Sequence, residues 1–502
     1  MTVNVTSDEW VAFHARRQPG KIALHSDRIT LSYRQLNECV GRAAAMLARG
    51  GHAPGERIGL LASSSVDWVV AYLAITRAGC VPVGLNYRET VSCIAQQIGT
   101  AGVTLALADA AHADLLDAAR VPWLPLEGFA RRGLEGPSEV VAARPAEAAD
   151  TGVILFTGGT TGSSKGVDLT HANLHWNCIN EILAGDLTAA DNVLLATALH
   201  HSAALNTWLL PALYLGGAAT IMGDFDPRRW LDCMQRYRAT TTFTPPTMIR
   251  QILDESKGTD DWRSFNKWFA GAGILSAQDR AEMVQRCPGL SVYYHYGLTE
   301  AGPIVTCLRP ANAGHSPDSI GSPVHHCEVK LLADDGSIAG EGEVGEIVVR
   351  GPAVMRGYWG QPRETDKVLR DGWLHTGDLA TQDAHGCLIF HDRLKDMIKT
   401  GGLNVFSHEV EMALATHPDI AEVAVVGVPD AQWGEQVTAV VSLRAGAQAS
   451  AGNIVAFAKT RLASYQIPKA FHFKTVEQLP KNYLGKTLKR ELRRMLIEEM
   501  GQ

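Results

Sequence analysis

Thr157-Gly158-Gly159-Thr160-Thr161-Gly162-Ser163-Ser164-Lys165-Gly166 is dense in glycine and threonine and closes on one lysine, as a loop built to hold phosphate does. Glycine lets backbone N–H groups approach an anion closely, threonine hydroxyls add donors, and Lys165 supplies a point charge. The stretch points to a chain that handles a nucleotide. The P-loop NTPase pattern requires Gly-Lys followed by Ser or Thr. Lys165 instead follows Ser164 and precedes Gly166, which disfavours that class.

On the amino-terminal side the rhythm is α/β. Ser32 with Gln35 forms a capping-box start, Leu36, Val40, Ala44 and Leu47 keep a helical period, and Gly50-Gly51 ends the helix. Arg57–Leu61, Val66–Arg77 and Cys80–Gly84 then read as strand, helix and strand, a βαβ unit. Similar strands are expected at Thr104–Ala108, Asn192–Ala196, Ala218–Met222 and Thr240–Phe243. Val324–Arg350 differs: short β runs broken by Asp-Asp-Gly and Gly-Glu-Gly turns suggest a small antiparallel or barrel-like part. Beyond it, Val405–Ala415 and Ile454–Leu462 read as helices, and Val423–Val428 and Thr438–Leu443 as strands.

Five further motifs follow the glycine-rich loop in order: Tyr296-Gly-Leu-Thr-Glu300, Gly345-Glu-Ile-Val-Val-Arg-Gly351, Gly372-Trp-Leu-His-Thr-Gly-Asp378, Asp392-Arg-Leu-Lys-Asp-Met-Ile-Lys-Thr-Gly-Gly402 and Pro480-Lys-Asn-Tyr-Leu-Gly-Lys486. With the loop, this ordered set resembles the acyl-adenylate-forming superfamily of acyl-CoA synthetases, luciferases and peptide-synthetase adenylation domains, over essentially the whole chain. The resemblance implies a large α/β N-terminal domain, residues 1–394, made of parallel-rich βαβ subdomains plus the small β-barrel-like part. A small mobile α+β C-terminal domain, 395–502, would rotate about a hinge at Lys395.

Composition fits without deciding. The 502 residues, 46% hydrophobic and 20% charged, can bury more than one core. Nine cysteines without a Cys-x-x-Cys pair argue against a disulfide framework and a thiolate zinc site. No signal peptide, membrane span or peroxisomal tail is visible, so a cytoplasmic enzyme without membrane insertion is expected. The formal net charge of -7 conceals a basic tail, with ten Lys or Arg against four Asp or Glu after residue 450. Lys489, Arg490, Arg493 and Arg494 read as a solvated basic helix, not a nucleic-acid surface, since no aromatic residues interleave them. His171/His175 and His325-His326-Cys327 lack third and fourth ligands at usual spacing, so no transition-metal site is expected.

Joining a carboxylate to the α-phosphate of ATP sets two anions against each other, at a cost of about 4 kcal/mol at 4 Å and an effective dielectric near 20. The resemblance assigns Lys486 to bridge that repulsion. It assigns Glu300 to Mg2+, a hard cation that takes one or two carboxylates, with Thr160 nearby. ATP is expected to meet Thr157, Gly158, Gly159, Thr160, Thr161, Gly162 and Lys165 through its phosphates, and His295, Tyr296, Gly297 and Thr299 around the base and α-phosphate. Asp378 would take the ribose hydroxyls and Arg393 add a contact from the hinge side. Two departures from the usual loop, Gly158 for serine and Ser164 for proline, imply a looser loop that still binds ATP. His201, in Leu199-His-His-Ser-Ala203, matches the family position beside the incoming carboxylate. Other acid-side lining is expected from Gly271, Ala272, Gly273, Trp176–Asn180, His295, Gly297 and Gly302–Ile304. These segments hold no arginine, which favours an aryl or medium-length monocarboxylic acid. Gly401, Gly402 and Trp433 are assigned to the pantetheine arm of coenzyme A.

The expected partners are therefore a small carboxylic acid and CoA, with ATP and Mg2+ as cofactors; a homodimer is compatible with this, and nucleic acid is not expected. An acyl-AMP ligase loading a separate carrier protein would share the adenylation motifs but need Gly401, Gly402 and Trp433 less. A luciferase-like oxygenase has no positive sign. A catalytically dead assembly protein would have no chemical reason to keep Lys486, Glu300, Asp378 and Arg393 together.

Overall fold

The structure, a computed structural model, describes residues 6–135, 146–157, 164–273, 275–310, 319–481 and 487–501. They divide into two compact units, one of Met1–Val329 with Val349–His375, the other of Lys330–Val348 with Thr376–Gln502. Among the described residues no helix is long and apolar enough to cross a membrane.

The first unit is built on two sheets. One runs in the order Gly357–Tyr358, Lys165–Thr170, Thr151–Thr157, Val81–Gly84, Arg57–Leu61, Val103–Ala108, Trp123–Pro125. Its centre is parallel, and Thr151–Thr157 and Lys165–Thr170 pair antiparallel. The βαβ unit forms as its pattern predicts: Val66–Arg77 follows Arg57–Leu61 and precedes Val81–Gly84. Every residue of that helix but Asp67, in its first turn, is buried, which is why it shows no polar stripe. Its terminal Arg77 is held by Asp8 at 3.2 Å and by Asn37. The Ser32 capping box forms as expected and opens the helix Tyr33–Arg49.

The second sheet aligns Ser291–Gly297, Lys267–Gly271, Thr241–Thr244, Asn192–Leu195, Ala218–Ile221 and Ile22–His25, all parallel. Of these, Asn192–Leu195, Ala218–Ile221 and Thr241–Thr244 lie within a residue of the expected spans. Ile304–Leu308 then returns antiparallel to Ser291–Gly297. Ligands of such sheets bind outside the carboxyl ends of the strands. Here those ends carry Gly271 and Tyr296-Gly297.

In the turn-broken region, Glu328–Leu332 and Gly345–Arg350 are short strands, joined in order by Trp373–Gln382 and Leu388–Arg393. In the second unit, Ile420–Asp430 and Gly434–Leu443 form a long antiparallel pair, with Ala470–Phe473 parallel to the latter. Successive residues of a strand face opposite sides. Val425 and Val437 accordingly pack with Val410, Leu414 and Ile454, whereas Val426, Val428 and Val440 pack with Leu492 and Leu496.

Two expected helices shift. Val405 ends the strand Leu403–Val405, and the helix begins only at Ser407. The other helix spans Ala451–Ala458, because Ser450 and Asn453 form a capping box upstream of the expected start. The basic tail is helical over Lys489–Glu499, but it is not simply solvated. Lys489 reaches Glu411 at 2.8 Å and Ser407 at 2.7 Å, and Arg493 reaches Glu435 at 3.0 Å.

Candidate active site

The glycine-rich loop joins Thr151–Thr157 to Lys165–Thr170, with Thr157 and Lys165 paired in register at its base. Gly158, Gly159, Thr160, Thr161 and Gly162 lie outside the described residues, as does Lys486. At the base, Glu300 is half-buried, and its Oε1 accepts from the Tyr358 hydroxyl at 2.9 Å and the Thr157 hydroxyl at 3.5 Å. The Met355 N–H donates to the Glu300 carbonyl at 2.9 Å, which fixes its backbone. Burial and the Glu300 carboxylate together push the Tyr358 phenol far up, so it stays a donor.

Lys165 is already engaged. Its Nζ lies 2.7 Å from Glu364 and 4.8 Å from the centre of the Tyr358 ring, and its ammonium holds the Glu364 carboxyl down at about 2. Neither Tyr358 nor Glu364 belongs to the motifs that the sequence singled out. They follow one another in Gly357-Tyr-Trp-Gly-Gln-Pro-Arg-Glu364, after the Gly345–Gly351 motif.

Tyr296 and Gly297 end a parallel strand and open the antiparallel hairpin to Ile304–Leu308. A Cβ on Gly297 would fall on the Pro303 carbonyl, so only glycine allows this approach. Thr299 Oγ1 lies 2.9 Å from Ser202 Oγ, which brings the loop of His201 beside Thr299 and Glu300. Burial, the neighbouring His200 and Arg88 hold the His201 imidazole well below its ordinary pKa. The ring is therefore neutral and supplies no cation. His295, on the other face of the strand from Tyr296, turns its ring into the core between Trp208 and Phe269.

On the acid side, Gly271 pairs in register with His295, and a Cβ there would lie 2.6 Å from the His295 carbonyl. Ala272 follows at φ +59°, a costly conformation for a residue with a Cβ and one that gathers at functional sites. Gly273 accepts a hydrogen bond from the Tyr294 hydroxyl at 2.5 Å. The helix His171–Gly185 buries a polar stripe of Asn173, Asn177, Asn180 and Glu181 at helical spacing. Asn177 donates to the Asn206 carbonyl at 2.9 Å and accepts from the Ile304 N–H at 3.3 Å. Asn206 in turn donates to the Gly302 carbonyl at 3.4 Å. The stripe was visible in the sequence as polar residues recurring at i, i+4, i+7 and i+8. Only the fold shows that this face is buried.

In the second unit, Asp378 and Arg393 are register partners on adjacent strands, with Arg393 Nε 3.3 Å from the buried Asp378 carboxylate. Gly401 (φ +57°) and Gly402 (φ +80°) form a turn that favours glycine. A Cβ on Gly401 would meet the Trp433 ring at 3.0 Å, and the Gly401 N–H donates to the Trp433 carbonyl at 2.8 Å. Trp433 is half-buried, with Lys469 Nζ 3.4 Å from the centre of its ring, and is not a core tryptophan.

Among the described residues no group of three or more His, Cys, Asp or Glu side chains could hold a metal ion. Magnesium needs no such cage, since it takes one or two carboxylates and completes its shell with phosphate oxygens and water. Glu300, a carboxylate oriented by two hydroxyls at the base of the glycine-rich loop, fits that demand.

Fold and site together define an α/β enzyme that handles an adenine nucleotide. The profile of the AMP-binding enzyme family matches residues 11–359, and that of the AMP-binding enzyme C-terminal domain matches 409–486. A feruloyl-CoA synthase of Amycolatopsis is 36% identical over 489 residues, covering 97% of this chain and 98% of that protein. An indoleacetate–CoA ligase of Aromatoleum aromaticum is 32% identical over 508 residues, covering 98% of each. The solved o-succinylbenzoate CoA synthetase (MenE) of Bacillus subtilis, in complex with its acyl-adenylate intermediate, superposes with a TM-score of 0.88. It is 28% identical, with 96% of this chain and 97% of that one covered. The chain belongs to the AMP-binding enzyme family. It is an acid–thiol ligase of the acyl-CoA synthetase type, with ATP, Mg2+ and coenzyme A as cofactors.

Proposed function

We propose that the chain joins an aryl or medium-chain monocarboxylic acid to coenzyme A in two steps. A carboxylate oxygen attacks the α-phosphorus of ATP and pyrophosphate leaves; the CoA sulfur then attacks the acyl carbon, AMP leaves, and the thiol proton passes to solvent. The observation that carries the first step is the Glu300 carboxylate held by Tyr358 and Thr157 at the base of the glycine-rich loop. Magnesium, when bound there, supplies charge that neutralises the phosphates. Tyr296 offers its ring to adenine, Asp378 its carboxylate to the ribose hydroxyls, and Arg393 orients Asp378. His201, uncharged, lies beside the acid carboxylate and leaves Lys486 as the cation between the two anions. An aryl acid is supported by the aromatic side chains that meet behind Gly271, namely Trp208, Phe243 and Phe269. The acid-side segments also present no arginine to a second carboxylate.

The test of the acid class is pyrophosphate release across aryl, short, medium and long monocarboxylic acids and one dicarboxylic acid. Aryl or medium acids should lead. A dicarboxylic acid at the head of the ranking contradicts the reading.

For the second step, Gly401 and Gly402 form the passage for the pantetheine arm, along Trp433. Gly401→Leu is expected to slow thioester formation from preformed acyl-adenylate by roughly tenfold or more, and by more than it slows pyrophosphate release, because the side chain both strains the turn and displaces the indole. Equal loss in both assays would remove the passage role. The division of labour at Lys395 makes a parallel claim. Lys395→Pro is expected to impair thioester formation more than adenylation, because a fixed φ opposes rotation about the hinge. Stopped-flow measurement of the two half-reactions separates these outcomes.

A further inference from the structure

Lys165 opens the strand Lys165–Thr170, with which Gly357–Tyr358 pairs antiparallel. The Trp359 N–H donates to the Gly166 carbonyl at 2.7 Å, and the Tyr358 N–H donates to the Thr365 hydroxyl at 2.9 Å. These bonds tie the short helix Pro362–Val368 to the strand that Lys165 begins. That helix brings Glu364 to the lysine. The ammonium, 13% exposed, donates at 2.7 Å to Oε2 of a carboxylate that is 26% exposed.

Two features make this pair exchangeable. Glu364 has a second cation: Lys367, three residues along the same helix, holds Oε1, so the carboxylate keeps a partner if Lys165 leaves. Lys165 has a second host as well. Its ammonium lies 4.8 Å from the centre of the Tyr358 ring, a cation–π contact that holds the side chain without consuming a hydrogen bond. The same tyrosine donates from its hydroxyl to Glu300. Lysine and candidate magnesium carboxylate thus meet one side chain, and Lys165 stands beside the place where magnesium would hold the phosphates.

A single carboxylate is a weak rival there. Thr299 and Lys486 are assigned to the α-phosphate, which leaves for Lys165 the β- and γ-phosphates, the part of ATP that departs as pyrophosphate. These carry more charge than Glu364 and offer an ammonium several acceptor oxygens.

We propose that Glu364 is a positioning residue that stands in for phosphate: it holds Lys165 before ATP binds, yields it to the β- and γ-phosphates, and takes it back as pyrophosphate leaves. Lys367 covers its charge in between. The inference goes beyond the reaction proposed above and concerns ATP and pyrophosphate whatever the acid.

The test is calorimetric measurement of Kd for ATP, pyrophosphate and AMP at fixed Mg2+, without acid. Glu364→Gln should tighten ATP and pyrophosphate by about three- to fivefold, the worth of a partly exposed ion pair, and leave AMP within about 1.5-fold. Lys165→Met should weaken ATP and pyrophosphate. Adding Glu364→Gln to it should change neither further, and that coupling separates competition for Lys165 from the mere loss of a negative charge. If Glu364→Gln fails to fold, Glu364→Asp, which shortens the reach of the carboxylate, should shift the same two constants in the same direction by a smaller factor. Equal tightening in both backgrounds would overturn the proposal, as a diffuse effect of charge. Weaker ATP binding in Glu364→Gln would overturn it by making Glu364 a residue that orients Lys165 for ATP. A lower melting temperature with all three constants unchanged, or Lys165→Met that binds ATP like the wild type, would overturn it too. The predicted pattern in a protein that forms no thioester would remove the reaction proposed above and leave this inference standing.

Discussion

Replacing Lys486 by alanine is expected to lower acid-dependent pyrophosphate release by roughly 10²–10³-fold, with much less effect on thioester formation from preformed acyl-adenylate. The size follows from the anion pair it separates. A repulsion of about 4 kcal/mol between carboxylate and α-phosphate corresponds to nearly three decades in rate. His201 cannot substitute, because burial holds its imidazole uncharged. Lys165 is a poor substitute as well, since Glu364 holds its ammonium at 2.7 Å. Arginine at 486 should restore only part of the rate, because a planar fork does not replace a compact ammonium between two anions. An equal loss in both half-reactions would instead make Lys486 a structural residue.

The second large effect is expected at Glu300. Glu300→Gln keeps the shape and the Tyr358 contact but removes the charge that magnesium requires, so pyrophosphate release should fall by roughly 10²-fold at low Mg2+ and recover in part at high Mg2+. Tyr358→Phe removes only the hydrogen bond that orients Glu300, and should cost about 1–2 kcal/mol, or roughly five- to thirtyfold, with the same Mg2+ dependence. The graded pair is diagnostic. If Glu300 merely satisfied the buried Tyr358 hydroxyl, both variants would lower the melting temperature and neither would shift the Mg2+ titration.

Much of the scaffold was legible because local signals and burial agree. Ser32 with Gln35 marks a helix start that forms where the capping box puts it, and Arg57–Leu61, buried along nearly its whole length, reads as a parallel strand. Where signals compete, the boundary moved. Val405 suits a helix by its position before Ser407, but pairing with Ile398 draws it into a strand. Ile454 and Leu462 keep helical spacing, yet the Ser450–Asn453 capping box starts the helix at Ala451.

The motif residues were legible as residue types, and their partners were not. Tyr358, Glu364 and Ser202 touch Glu300, Lys165 and Thr299 only because the sheets bring distant segments together. Lys489 looked like part of a solvated basic face, and it lies half-buried against Glu411 because the terminal helix packs on the strand Ile420–Asp430. Glu181 shows the same limit most clearly. A carboxylate on a helix ordinarily marks the solvent side, and its burial opposite His295 depends on contacts across more than a hundred residues of sequence.

The proposed reaction turns on one coupling, adenylate formation followed by transfer to the thiol of coenzyme A. With the acid that gives the fastest pyrophosphate release, AMP and thioester formation are to be followed with and without CoA. AMP that accumulates catalytically only when CoA is present, matched mole for mole by acyl-CoA, is the predicted result. Pyrophosphate release unaffected by CoA, with no thioester formed, would contradict it and point to a separate carrier protein as the acceptor.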